Sequence, residues 1–159
     1  MTNQEPMTPV QLFLVHAIEL EREAARCYQD LTTRMEHAGN TEVAAFFSTM
    51  GVFARRHLED AMLRGGFHET PHVDPRELRW PGGVSPEAPV WQDAIGEMDV
   101  QAALILALDG EHRSFCFYRN VSERSGDPDV QRIAAEFAAE ESEHVAQLQG
   151  WLARVPVTH

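Results

Sequence analysis

The stretch DPDVQRIAAEFAAEESEHVAQLQGWLA, residues 127–153, decides the fold of this chain. Asp127 before Pro128 is a typical helix start, with a capping side chain followed by a proline at the first helical position. Apolar residues then recur at helical spacing, at Val130, Ile133, Ala134, Phe137, Val145, Leu148 and Leu152. The stretch therefore predicts a helix over about 128–153 that buries one face.

Three further segments show the same apolar periodicity between residues that favour helix ends. The predicted helices cover about 9–37, 41–64 and 99–125. The residues that mark their ends are Thr8-Pro9, Gly39-Asn40, Gly65-Gly66, Asp99 and Gly126. The chain therefore contains four long predicted helices.

Residues 67–98, between the second and third helices, have a different composition. Five prolines and the pair Gly82-Gly83 argue against a helix in this segment. Loops of this length are uncommon in a compact domain unless they have a topological role, and a crossover in a helix bundle is such a role. The sequence therefore predicts an all-α, single domain over residues 1–159, a ferritin-like four-helix bundle of two helix hairpins joined by a long crossover.

Charge and hydropathy exclude several function classes. The formal net charge of −12 argues against nucleic acid binding, which needs patches of Lys and Arg. The same charge is compatible with the attraction of cations, and equally with solubility alone. No apolar run approaches the ~20 residues of a membrane span, and the N-terminus lacks the pattern of a secretory signal. We therefore expect a cytoplasmic protein that binds neither nucleic acid nor a membrane.

The two cysteines, Cys27 and Cys116, do not form a CxxC motif. This excludes a zinc ribbon and a rubredoxin-type iron site in this sequence. A free cysteine behaves as a small hydrophobic residue, so we expect both to be buried free thiols.

Two glutamates interrupt the apolar faces of the first and third helices. Glu21 lies on the inward face of the first helix and Glu111 on that of the third. Each precedes a tyrosine by seven residues, Tyr28 in the first helix and Tyr118 in the third. The two Glu–Tyr pairs are offset by 90 residues, which indicates an internal repeat of helix pairs.

The second and fourth helices contribute histidines to the same interior. Glu141 and His144 lie three residues apart and so share one helix face, while His57 lies on the inward face of the second helix. Burying an ionised carboxylate without a partner costs several kcal/mol, and a metal cation supplies the compensation. The expected metal ligands are Glu21, His57, Glu111, Glu141 and His144.

One carboxylate of a complete two-metal set is missing. Di-iron carboxylate bundles use one Glu from each of two helices and a Glu-x-x-His motif from each of the other two. In the second helix Ala54 stands where the Glu of that motif would be, three residues before His57. Asp60, one turn after His57, is the best candidate to replace it.

The sequence resembles a known family through three motifs, EREAARCY from Glu21 to Tyr28, EHRSFCFY from Glu111 to Tyr118, and ESEH from Glu141 to His144. They are similar to the motifs of rubrerythrin-like proteins in the ferritin-like, di-iron carboxylate superfamily, and the likeness covers the four helices. The resemblance implies that Glu21 and Glu111 are terminal ligands and that Glu141 is a bridging ligand. It also implies imidazole ligation by His57 and His144, with no catalytic residue separate from the ligands.

The same resemblance implies iron as the cofactor, as two ions. The carboxylate missing at Ala54 predicts that the second ion is bound more weakly. The implied activity is that of an oxidoreductase in iron or oxidative-stress handling, a ferroxidase or an oxygen- or peroxide-reducing enzyme. The chain departs from rubrerythrins proper at Ala54 and at Ser114, where they carry an extra Glu, and it lacks the rubredoxin module. Peroxidase turnover of the rubrerythrin type would therefore need an external electron donor.

Two other functions stay open. Imidazole and carboxylate ligands do not select iron alone, so a single-metal site holding zinc or manganese is one alternative. The other is a non-catalytic bundle that acts as a structural or interaction protein. We expect a homodimer or a higher homo-oligomer, with metal ions and oxygen or peroxide as the partners.

Overall fold

The computed structural model of the chain describes residues 6–69, 71 and 99–155. These residues form four α-helices: α1 (Pro9–His37), α2 (Thr41–Gly65), α3 (Val100–Arg124) and α4 (Pro128–Arg154). Each end lies within one residue of the bounds that the sequence predicts, and the described ranges contain no strand. The all-α class and the four-helix bundle are thus confirmed.

The helix starts follow the capping chemistry of the sequence. In each case the side chain of the residue before the helix accepts a hydrogen bond from a backbone N–H of the first turn. These capping residues are Thr8, Asn40, Asp99 and Asp127. The end of α2 is set by Gly66, whose φ of 69° lies in the left-handed region that favours glycine.

The helices pair as two hairpins, α1 with α2 and α3 with α4. Two hydrophobic clusters fill the bundle, one at each end. The first cluster takes Leu14 from the start of α1 and Ala61 from the end of α2. The second cluster takes Met35 from the end of α1 and Leu104 from the start of α3.

This distribution fixes the helix directions. The end of α2 lies at the first cluster and the start of α3 at the second, so α2 and α3 run in the same direction. The connection between Gly65 and Val100 therefore joins opposite ends of the bundle, which is the topological role expected of a crossover. Residues 70 and 72–98 of the predicted crossover lie outside the described residues, and the single-domain assignment stays a prediction.

The cysteine prediction is right for one residue and wrong for the other. Cys27 is buried, but Cys116 is exposed on α3. The reason is helical geometry, because Phe117 and Tyr118 take the inward positions of that turn. Within the described ranges, no helix combines the length and apolar character that crossing a membrane requires.

Candidate metal centre

A layer of charged side chains lies between the two hydrophobic clusters at the middle of the bundle. The structure brings all five predicted ligands into this layer, one each from α1, α2 and α3 and two from α4. Four of them are buried, with exposures between 2% and 8%, and the side chain of His57 is 19% exposed. Charges buried to this extent need compensation from each other or from a bound cation.

The five residues form two groups of possible metal donors that share one member. In the first group, donor atoms of Glu21, His57 and Glu141 lie within 4.8 Å of one another. In the second group, Glu111, Glu141 and His144 satisfy the same condition. These carboxylate and histidine groups could each hold a metal ion, and Glu141 is common to both groups.

The two oxygens of Glu141 face different histidines. Its Oε1 lies 4.0 Å from Nδ1 of His57, and its Oε2 lies 3.4 Å from Nδ1 of His144. The two imidazole rings are themselves stacked, with centroids 5.3 Å apart. The carboxylate of Glu141 therefore lies between the two histidines.

The pKa values of all three residues in the second group, Glu111, Glu141 and His144, are raised. Burial and the charge of Glu141 raise the pKa of the Glu111 carboxyl to about 8, against the lowering effect of His144. Burial lowers the pKa of the His144 imidazole, but the carboxylates of Glu111 and Glu141 outweigh it and raise that pKa to about 11. The pKa of Glu141 is also raised, by burial and by the charge of Glu21.

One buried oxygen in this layer lacks a hydrogen bond. Among the described residues, Oε2 of Glu141 is fully buried and has no hydrogen-bond partner, although Nδ1 of His144 lies 3.4 Å from it. Leaving a buried carboxylate oxygen unsatisfied is costly, and a cation between Glu141 and its neighbours would remove that cost. The residues present therefore fit a metal ion.

The two tyrosines bind the glutamates crosswise. The hydroxyl of Tyr28 on α1 donates to Oε1 of Glu111 on α3 at 2.5 Å. The hydroxyl of Tyr118 on α3 donates to Oε1 of Glu21 on α1 at 3.5 Å. The sequence reveals each Glu–Tyr pair within one helix, but the hydrogen bonds run between helices.

The structure also adds a residue that the sequence analysis missed. Oε2 of Glu140 lies 3.2 Å from Nε2 of His57, on the side of the ring that faces away from Glu21. The Glu140 side chain is 44% exposed. Its only sequence signal is its position next to Glu141 in an acidic stretch, which does not single it out.

The position of the missing carboxylate remains apolar. Ala54 is buried in the second hydrophobic cluster. Asp60, the expected replacement, accepts a hydrogen bond from Nε of Arg64 at 3.0 Å and belongs to neither donor group of the described residues. Among the described residues, the carboxylate common to both donor groups is that of Glu141 on α4.

Comparison with known proteins gives one informative relative. No family model matches the chain, and no curated protein matches it. The chain is similar to a crystal structure described as COG1633, an uncharacterized conserved protein from Magnetospirillum magnetotacticum MS-1. The sequence identity is 36% and the TM-score is 0.77, over 96% of this chain and 98% of that chain.

Proposed function

This chain belongs to the COG1633 family, and we propose that its bundle core binds two metal ions that share Glu141 as a bridging ligand. The observation that carries the proposal is the presence of two donor groups with Glu141 in common. The unsatisfied Oε2 of Glu141 supports it, because a bound cation is the partner that this buried oxygen lacks.

Each ion would have its own terminal ligands. Glu21 and His57 would hold one ion, and Glu111 and His144 would hold the other. This set of three carboxylates and two imidazoles suits iron, and it also accepts zinc or manganese. We take iron as the physiological metal on the strength of the resemblance to rubrerythrin-like proteins.

The proposed activity is a ferroxidase reaction. A pair of iron ions would supply two electrons, so that two Fe(II) and two protons convert one molecule of oxygen to hydrogen peroxide, or one of peroxide to water. Metal binding would release protons from the site, because Glu111 and His144 must each lose a proton before they can bind a cation.

The other residues of the layer position the ligands. Tyr28 and Tyr118 hold the carboxylates of Glu111 and Glu21 by hydrogen bonds. The two hydrophobic clusters close the layer from both ends of the bundle and limit the access of water. With a single bridging carboxylate in place of two, one ion should be bound more weakly than the other.

A second candidate function is a structural bundle without metal. The observation in its favour is the raised pKa of His144, because an imidazolium between Glu111 and Glu141 compensates buried negative charge by itself. The metal-free core can thus be electrically balanced in its second group. In the first group, Nδ1 of His57 lies 3.4 Å from Oε1 of Glu21.

Metal analysis of protein purified without chelator separates the two candidates. The proposal expects iron at one to two ions per chain, and less than ~0.2 metal per chain after reconstitution would favour the structural bundle. The activity is tested by loading Fe(II) without oxygen, admitting air and following the loss of Fe(II) with a ferrous chelator. Loss no faster than in buffer alone would contradict the ferroxidase reaction while leaving metal binding in place.

Glu111→Ala and Glu143→Ala form a matched pair for this experiment. Both remove one carboxylate, but Glu111 belongs to a donor group and Glu143 is an exposed residue of α4. We expect Glu111→Ala to lose most of the iron-dependent oxygen uptake and Glu143→Ala to keep it.

A further inference from the structure

Glu140 is outside both donor groups but contacts one of their histidines. His57 lies between two carboxylates, with Nδ1 at 3.4 Å from Oε1 of Glu21 and Nε2 at 3.2 Å from Oε2 of Glu140. The two ring nitrogens of one imidazole therefore face two different acidic groups. One is buried in the donor group, and the other is half-exposed at the bundle surface.

This arrangement decides which nitrogen can bind a metal. The first donor group is assembled on the Nδ1 side, because both Glu21 and Glu141 lie nearest to that atom. A metal-binding imidazole is neutral and needs a free lone pair on the coordinating nitrogen, so its proton must be on the other nitrogen. For His57 that nitrogen is Nε2, which faces Glu140.

We infer that Glu140 is a positioning residue, which accepts a hydrogen bond from Nε2 of His57 and thereby presents the unprotonated Nδ1 to the ion held with Glu21 and Glu141. The inference rests on the proposed function. A carboxylate that accepts a hydrogen bond from a ligating imidazole fixes its tautomer and ring orientation and increases its basicity, and its loss typically weakens metal binding by about 10–100-fold.

The effect should be confined to one of the two ions. Both ion pairs of His144 in the described structure are made through Nδ1, to Glu111 and Glu141. Glu140 pairs with His57. Removing Glu140 should therefore weaken the position that contains His57 and leave the position that contains His144 nearly unchanged.

The position of Glu140 also relates to the gap at Ala54. Because α2 supplies no bridging carboxylate, the first ion has fewer protein oxygens to hold it than a complete set would give. Stronger donation from a well-oriented His57 would offset part of that loss. Glu140 thus supports the site from the helix that already carries Glu141.

Zinc binding to four proteins tests the inference: the native chain, Glu140→Ala, Glu140→Gln and Glu143→Ala. Zinc is redox-inactive and diamagnetic, so calorimetry and nuclear magnetic resonance can be applied to the same samples. We expect two zinc ions on the native chain, and one of the two affinities reduced about 10–100-fold in Glu140→Ala. Glu140→Gln should stay within about 3-fold of native, because its amide oxygen still accepts a hydrogen bond.

Glu143→Ala is the charge control. Glu143 is exposed on the same helix and is not among the carboxylates that pair with His57. It should bind zinc as the native chain does. An equal loss of affinity in Glu143→Ala and Glu140→Ala would show that only the net charge of α4 matters, and would overturn the inference.

The spectroscopic readout is the pair of ring nitrogens of His57 in nitrogen-15-labelled, zinc-loaded protein. We expect zinc on Nδ1 and a slowly exchanging proton on Nε2 in the native chain, with fast exchange of that proton in Glu140→Ala. Zinc on Nε2 in the native chain would contradict the inference, as would two native affinities in Glu140→Ala. A native chain that binds no zinc and no iron contradicts the proposed function, and this inference with it.

Discussion

The hydroxyl of Tyr28 on α1 donates to Oε1 of Glu111 on α3 at 2.5 Å, and so joins the two helix hairpins through a proposed metal ligand. The equivalent bond from Tyr118 to Glu21 is longer, at 3.5 Å. The two Glu–Tyr pairs have the same spacing in sequence, but the two hydrogen bonds differ in length. Glu111 should be the better fixed of the two.

Tyr28→Phe should weaken the fold and the site more than Tyr118→Phe. Loss of the Tyr28 hydroxyl leaves a buried oxygen of Glu111 without its donor, at a cost of about 1–3 kcal/mol in the free energy of unfolding. Tyr118→Phe is the matched control, because its bond is at the outer limit for a hydrogen bond and should cost less than about 1 kcal/mol. Urea unfolding of both variants measures the difference, and equal losses would count against the assigned asymmetry.

Glu141→Ala should abolish the pairing of the metal ions. Because Glu141 belongs to both donor groups, its removal leaves each with two protein ligands. We expect the metal content to fall below one ion per chain, with at least about 10-fold weaker affinity for any ion that remains. Metal analysis after dialysis is the measurement, and circular dichroism should show unchanged helix content. A variant that still binds two ions would refute the bridging role.

Ala54→Glu should complete a second Glu-x-x-His motif with His57. In the metal-free protein the new buried carboxylate should destabilise the fold by several kcal/mol. Added zinc or iron should restore most of that loss, since the carboxylate then has a cation to bind.

Ala44→Glu is the control for this variant, because Ala44 is equally buried on α2 and lies in the same hydrophobic cluster as Ala54. The residue three positions after it is Phe47, so a glutamate at 44 completes no Glu-x-x-His motif. The control variant should be destabilised to a similar extent and should gain nothing from metal. Metal rescue of both variants, or of neither, would count against a ligand position at residue 54.

The stability of the metal-free protein should fall as the pH rises. The pKa of Glu111 is about 8 in the folded state against an ordinary value of 4.5, and that of His144 is about 11 against 6.5. Between each pair of values the folded state holds a proton that the unfolded state has released, so the free energy of unfolding decreases with pH. The stability that the Glu111 proton contributes is lost between pH 4.5 and about pH 8. The stability that the His144 proton contributes is lost between pH 6.5 and about pH 11.

Bound metal should reverse this trend, because the same groups bind a cation only after they lose their protons. The stabilisation by zinc should therefore increase between about pH 6 and pH 9. Urea midpoints with and without zinc across this range provide the test. A metal-free midpoint that increases with pH would be incompatible with the raised pKa values.

The sequence predicts much of this architecture because the relevant signals are local. Helix caps such as Asp127 and the apolar periodicity depend on neighbouring residues, and they predict helix ends to within one residue. Glu21 and Glu111 stand out because each interrupts an apolar face, and Glu141 because it lies three residues before His144. The structure brings them together with both histidines, as the four-helix arrangement requires.

What the sequence does not reveal depends on contacts between helices. The crosswise bonds of Tyr28 and Tyr118 join residues far apart in the chain, and no spacing rule predicts them. Glu140 is one of several acidic residues on α4, and only the position of His57 distinguishes it. Asp60 has the spacing of a ligand but turns to Arg64, an alternative partner on its own helix.

The division of the two donor groups between the hairpins has a kinetic consequence. Glu111, Glu141 and His144 all belong to the α3–α4 hairpin, whereas the other group combines Glu21 and His57 of the first hairpin with Glu141 of the second. An ion held by Glu21, His57 and Glu141 would act as a removable cross-link between the hairpins. Its dissociation would then set how fast the bundle can open, so the lifetime of the folded chain would follow the off-rate of a single ion.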